Sequence, residues 1–206
     1  MDFQIKGPDF EFSSGELCLD FANTADWHAS PNPQEYLNSY GDLLVWGRMA
    51  GIISDSEAKQ LWQCSQDLPS EAQAALARAI ELREAIYRIF VRLADQETPS
   101  QSDLDILNFT LQRALPHLRV APSSEGFSFA WQTGGQDLER VLWPVAWSAA
   151  NLLTSEDLDR VGQCDDDRGC GYLFYDTSRN RSRRWCSMES CGNRAKAMRH
   201  YQRKTS

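Results

Sequence analysis

Four of the six cysteines crowd into 28 residues near the C-terminal end of the 206-residue chain, in the pattern Cys164-x5-Cys170-x15-Cys186-x4-Cys191. Thiolates are soft donors, and four of them on two close pairs are a preferred tetrahedral set for zinc. A spacer of hairpin length, Tyr172 to Asp176, lets the two pairs converge on one ion without threading the chain. The usual spacing within a pair is x2 to x4, so Asp165-Asp166-Asp167-Arg168-Gly169 must form a larger knuckle. A module of about 45 residues has little core of its own, and a metal staple would supply most of its folding energy. Two other readings of the cluster remain. Four thiolates also hold iron–sulfur clusters, although the ferredoxin spacings are absent, and the four thiols could simply be free. Three disulfides would require export. Met1 to Pro8 carries Asp2 and Lys6 and no apolar stretch, so no signal peptide is expected and the compartment is read as reducing.

The segment Tyr172-Leu-Phe-Tyr-Asp-Thr-Ser-Arg-Asn-Arg-Ser-Arg-Arg-Trp-Cys-Ser-Met-Glu-Ser-Cys-Gly-Asn-Arg-Ala-Lys196 strongly resembles the CGNR zinc-finger family, whose tetrad stands here as Cys191-Gly192-Asn193-Arg194. In that family the finger follows an N-terminal domain called ABATE. The first part of the chain is similar to it over Leu17-Cys-Leu-Asp-Phe-Ala-Asn-Thr24 and Tyr40-Gly-Asp-Leu-Leu-Val-Trp-Gly-Arg-Met-Ala-Gly51. The resemblance spans nearly the whole chain and is most specific in the finger. It implies a Zn2+ cofactor and a bacterial, stress-linked transcription regulator.

The charge is polarised. The net charge of −8 conceals 11 Lys and Arg against 5 Asp and Glu in residues 160–206, and 10 against 24 in residues 1–159. Only the C-terminal module has the electrostatics to attract phosphate. Arg179, Arg181, Arg183 and Arg184 fall in a turn, and Arg194, Lys196, Arg199 and Arg203 follow the last cysteine. A final helix opening near Cys191 would align Lys196, Arg199 and Arg203, with His200 on the same side. These eight cations form the candidate nucleic-acid surface, with DNA as the expected partner. Contacts to roughly six to eight phosphates would give a salt slope of roughly −0.9 for each. Against this stands docking of the arginines on the acidic first domain. Tyr172, Phe174 and Trp185 read first as the module's small core and only second as base-stacking rings.

The elements that must position these groups are mostly helical. Phe10 to Phe21 alternates with a period near two around Ser13-Ser14-Gly15, a hairpin signal that would put Leu17, Leu19 and Phe21 on one face. Asn32 and Pro33 look like a helix start. A helix from Asp42 to Ala50 stops at Gly51. Ser54 with Glu57, Ser70 with Gln73 and Ser102 with Asp105 read as starts of three further helices. The second of these is the longest, with an apolar stripe from Leu76 to Leu93 that includes Arg83. Leu118–Ala121 and Phe127–Trp131 read as a second hairpin pairing with the first. Gly134-Gly135 precedes a helix from about Asp137 to Leu153 that Pro144 should kink. The expected fold class is α+β: a mostly helical domain with small hairpins over residues 1–157, then a four-cysteine zinc module over 158–206.

No glycine-rich phosphate loop, HExxH or GxSxG occurs, and three histidines leave few catalytic arrangements, so the chain is not expected to be an enzyme. A charge on an apolar stripe is costly without a partner. Asp20 pairing with Arg83 would resolve it, either as a structural ion pair or as the floor of a small-molecule pocket with Asn23 and Trp46. An enzyme acting there, and a finger whose arginines dock a protein, are the alternatives. No run approaches the ~18 apolar residues of a membrane span. The expected setting is cytoplasmic, without membrane partner, and a second copy of the chain is a further candidate partner. Cys18 and Cys64 read as buried thiols.

Overall fold

The structure is a computed structural model that describes residues 7–124, 126–132 and 137–205, the side chains of 199 and 203–205 excepted. The helices are α1 (Leu17–Ala22), α2 (Tyr40–Met49), α3 (Asp55–Asp67), α4 (Pro69–Ala94), α5 (Gln101–Ala114), α6 (Leu142–Leu153) and α7 (Asn193–Thr205). Three antiparallel two-stranded ribbons join them: β1 (Ala25–Asp26) with β2 (Gln34–Glu35), β3 (Leu118–Ser123) with β4 (Gly126–Trp131), and β5 (Val161–Gln163) with β6 (Leu173–Tyr175). The ribbons stay separate rather than merging into one sheet. Among the described residues no helix is long and apolar enough to cross a membrane.

The 26-residue α4 is the spine. Ala75, Ala79, Leu82, Ile86, Ile89 and Phe90 lie on its buried side, where α1, α2, α5 and α6 pack. The alanines let neighbouring helices approach closely, and the larger side chains fill between them. Ser39 with Asp42 and Ser54 with Glu57 form reciprocal capping boxes on α2 and α3. Gly51, at φ 71, ends α2 without the strain a Cβ would add.

Several local expectations give way to tertiary context. Residues 17–22 form a helix, not a strand, and Cys18 to Ala22 are all buried in it. Over six residues an apolar run buried on all sides carries no usable period, and the core that surrounds α1 decides its conformation. Asn32-Pro33 opens no helix, because β2 follows and α2 starts at Ser39 instead. α4 starts at Pro69, behind Leu68, without the Ser70–Gln73 box. α5 is capped by Ser100, which accepts from Asp103 N, two residues before the expected Ser102. Pro144 does not kink α6: the helix starts at Leu142, so the missing N–H falls in the first turn, where no intrahelical partner exists. The Gly134-Gly135 break lies outside the described residues. The β3–β4 ribbon forms as expected, with Leu118 paired to Trp131.

Arg83 is nearly fully buried, but its partner is not Asp20. Its guanidinium takes Glu35 in a two-pronged pair at 2.6 and 2.7 Å, and Glu84 at 2.8 and 3.0 Å. Glu84 in turn meets His28 Nε2 at 3.0 Å, and the His28 ring stacks on Tyr87 with centroids 3.5 Å apart. Asp20 accepts instead from Ser14 N at 3.0 Å. A helix in place of the strand turned Asp20 away from α4.

The C-terminal segment shares this core. Val161 and Leu173 belong to the main hydrophobic cluster. The Asn23 amide mimics a strand, accepting from Leu173 N at 2.9 Å and donating to Leu173 O at 2.8 Å. Gln163 Nε2 donates to the Tyr87 hydroxyl at 2.8 Å, and Tyr175 N donates to Ser14 O at 2.7 Å. Gly171 sits at φ 68 with the Tyr87 hydroxyl and Ala29 so close that an added Cβ would fall 2.5 to 2.7 Å from them. Gly171→Ala should therefore destabilise the fold by about 2 kcal/mol or more, from left-handed strain and overpacking together, read by urea denaturation.

The ionic network makes a pH prediction. Burial pushes the Glu84 carboxyl up, but the His28 hydrogen bond and the Arg83 charge outweigh it and hold the group at about 2, below its ordinary 4.5. A folded-state value below the unfolded one stabilises fully above the unfolded value and is lost as pH falls toward the folded value. Glu84→Gln should flatten the acid limb of the stability curve between about pH 4.5 and pH 2, measured by urea midpoints across that range.

Candidate metal centre

Two turns bring the four thiols together. The first is the long knuckle after β5. Cys164 N donates to Tyr172 O at 2.8 Å, and Gly169 N closes a turn on Asp166 O at 3.1 Å. Gly169, at φ 88, lets the knuckle lie against the backbone of Ala29 and Ser30, where a Cβ would come within 2.8 Å. The five intervening residues thus wrap the knuckle over the helical domain, which accounts for the loose x5 spacing. The second turn is π-helical, Met188–Gly192, capped by Ser187, whose hydroxyl accepts from Glu189 N and Ser190 N. It delivers Cys191 at the start of α7.

The four sulfurs lie within 4.8 Å of one another, with Cys170–Cys186 at 3.7 Å and Cys186–Cys191 at 3.6 Å. A zinc–sulfur distance of about 2.3 Å implies tetrahedron edges of about 3.8 Å. All four thiols are free of disulfide bonds, and Cys164, Cys170 and Cys191 are buried. Crowding sets their protonation. Hydrogen bonds from Cys170 and then Cys186 pull Cys164 down, while Cys164 pushes Cys170 up, and burial pushes Cys191 up. One thiolate can be stabilised by its neighbours' protons; four need a cation. The donor set fits zinc: Cys164, Cys170, Cys186 and Cys191 would hold it, leaving no open position, so the ion would staple rather than catalyse.

Around the sulfurs lies a shell of arginines. Arg194 Nη2 donates to Cys191 Sγ at 2.8 Å and, with Nε, to Asp166 at 3.2 and 3.3 Å, so α7 is tied back to the first knuckle. Arg183 donates to the Trp185 and Cys186 carbonyls and lies 4.3 Å from the centroid of the buried Phe174 ring. Trp27 covers the cluster from the helical domain at φ 53, a costly conformation for a bulky residue, and Arg168 and Arg194 lie 5.0 and 5.5 Å from its ring centroid. Trp27 and Asp166 were not singled out from the sequence. The only available signal was an acidic run, Asp165 to Asp167, inside an otherwise basic segment. Phe174 is core, and Tyr172 and Trp185 pack beside the thiols.

The eight expected nucleic-acid residues separate into four pairs. Arg183 and Arg194 are consumed inside the module, as above. Arg184 pairs with Asp165 and Arg181 with Asp159, both on the surface. Arg179 and Lys196 are exposed. The side chains of Arg199 and Arg203 lie outside the described residues. The paired arginines found acids in or beside their own module rather than on the acidic first domain. The four residues of the expected pocket do not meet: Asp20 and Asn23 line one cleft, Trp46 is fully buried among core rings, and Arg83 is in its own ion network.

Residues 15–156 match the model of the ABATE family, described as "Putative stress-induced transcription regulator". The chain belongs to the ABATE family. Residues 160–204 of this ABATE protein match the CGNR zinc finger, so the four-thiol centre is that of a zinc finger and its metal is Zn2+. No curated protein matches the chain. Metal analysis of the purified ABATE protein should give one zinc per chain, and Cys191→Ser should lose it. Because Val161 and Leu173 sit in the main core, metal loss should lower the thermal midpoint of the whole chain rather than melt the finger alone.

Proposed function

We propose that the chain is a transcription regulator whose zinc module grips the phosphate backbone of DNA, over residues 158–206, while residues 1–157 act as the sensing part. The observation that carries this reading is the placement of the exposed positive charge. Arg179, Arg181 and Arg184 crowd one exposed turn, Lys196 is exposed on α7, and the principal packing contact of α7 is the π turn that precedes it. The helix and the turn flank the same metal centre.

The surface pairs of Arg181 and Arg184 do not disqualify them. Exposed ion pairs contribute about 0 to 1 kcal/mol, so a phosphate can replace Asp159 or Asp165 with little cost. A groove of about 470 Å³ lies beside this turn, walled by Thr177, Ser178, Ser182, Arg184, Ser187 and Met188. Its hydroxyls and guanidinium are donors of the kind that position a nucleic-acid backbone, which fixes register without reading bases. Zinc contributes rigidity: it holds the arginine turn and the start of α7 at one distance.

The four exposed cations whose side chains are described set about four phosphates and a salt slope of about −3.6 or steeper; the side chains of Arg199 and Arg203 lie outside the described residues. Fluorescence anisotropy of the zinc-loaded full-length protein on a random duplex, titrated between low and high salt, should give that slope. Arg179→Ala and Lys196→Ala should each weaken binding uniformly across sequences and reduce the slope by about 1. Absence of binding at the lowest salt by protein carrying one zinc per chain would refute the proposal.

A further inference from the structure

A cleft beside α1 gathers carboxylates with no countercharge among the described residues lining it. Asp20 is nine-tenths buried at its floor, and Glu11 and Asp26 stand at its sides. Asp103, Glu139 and Asp166 are equally buried, and each holds an arginine, while buried Asp176 takes the backbone N–H groups of Ser178 and Arg183. Asp20 holds no arginine: among the described residues no lysine, arginine or histidine lines the cleft. Its Oδ1 accepts from Ser14 N, and burial still pushes the carboxyl above its ordinary range. Two neutral polar groups nearby, Asn23 and Thr24, are already spent. Asn23 gives both ends of its amide to Leu173, and the Thr24 hydroxyl donates to Phe21 O.

The walls are aromatic. Phe10 and Tyr36 meet edge to face with centroids 6.2 Å apart, and Tyr172 closes the opposite side from the zinc module, its hydroxyl bonded to Ser13 Oγ at 2.9 Å. The cavity measures about 140 Å³, close to the roughly 150 Å³ that accepts a benzene. A bare metal ion does not suit it: among the described residues the cysteine set is the only group of three or more such side chains converging on one point. Carboxylates accept hydrogen bonds and cannot donate them, and aromatic faces attract cations within about 6 Å.

We propose that this cleft binds a small organic cation, an ammonium or guanidinium group on a hydrocarbon body, with its charge on Asp20 and its body against Phe10, Tyr36 and Tyr172. The carbonyl of Tyr172 accepts from Cys164 N, so this wall of the cleft is carried by a residue bonded to the metal knuckle. The cleft's occupant does not depend on what the basic turn contacts.

Isothermal titration of the zinc-loaded full-length protein with benzylammonium, against benzyl alcohol as the uncharged counterpart, tests this. The amine should bind saturably at one site and the alcohol should not. Asp20→Asn, whose amide keeps an oxygen for Ser14 N, should weaken the amine at least tenfold, and Asp26→Asn at least threefold. Unchanged zinc content reports that the variants are folded; if Asp20→Asn loses zinc, Asp26→Asn carries the comparison alone. The proposal is overturned if benzylammonium, butylammonium and phenylguanidinium all fail to bind. It is equally overturned if the alcohol binds as tightly as the amine, or if the folded variants bind the amine like the natural chain.

Discussion

Leu173 is fully buried in the helical core three residues after Cys170, and its main chain is hydrogen-bonded at both N and O to the Asn23 amide. That one splice makes a small zinc module part of a larger fold. A segment of its size buries too little apolar surface to order itself. It gains order from two sources at once, a tetrahedral ion at one end of the β5–β6 ribbon and the α4 spine under the other. Gly169 and Gly171 allow the approach, since a Cβ at either would collide with residues 29–30 or Tyr87. The metal centre is therefore a joint between two parts of one body.

Electrostatics follows the same division. In the helical part, buried charges are matched to partners: buried Arg83 with Glu35 and Glu84, buried Asp103 with Arg88, buried Glu139 with Arg113. Removing one partner of such a pair strands a buried charge, so these residues are architecture. Asp20 breaks the pattern, and its cleft is where the domain has charge left for something outside itself. In the zinc module the arginines that touch Cys191, Asp166 and the Cys186 carbonyl are likewise architecture, while those on the outer turn keep only weak surface pairs.

The metal set was legible in the sequence because thiol chemistry is local: four cysteines at short spacings, with glycines beside them, need only turns to converge. The capping boxes at Ser54 and the αL stop at Gly51 were legible for the same reason, since each is satisfied within four residues. The β3–β4 ribbon was too, its strands joined by a short turn. Where the sequence misled, the deciding contact was distant. The run Leu17 to Phe21 alternates like a strand, yet burial on every side makes it helical. That rotation sent Asp20 toward Ser14 and left Arg83 to Glu35, 48 residues away.

By itself, then, the sequence determined which residues could hold zinc, the start of α3 at Ser54 and the stop of α2 at Gly51, and that net positive charge is confined to the last quarter of the chain. Only the tertiary structure decided which arginines are spent, that Trp27 covers the thiols, and that Asp20 faces a cleft rather than a cation. Ligand spacing, caps and charge counts depend on neighbours in the chain. Pairing of Arg83 with Glu35 depends on packing across 48 residues and the docking of Leu173 on packing across 150, which no short-range pattern records.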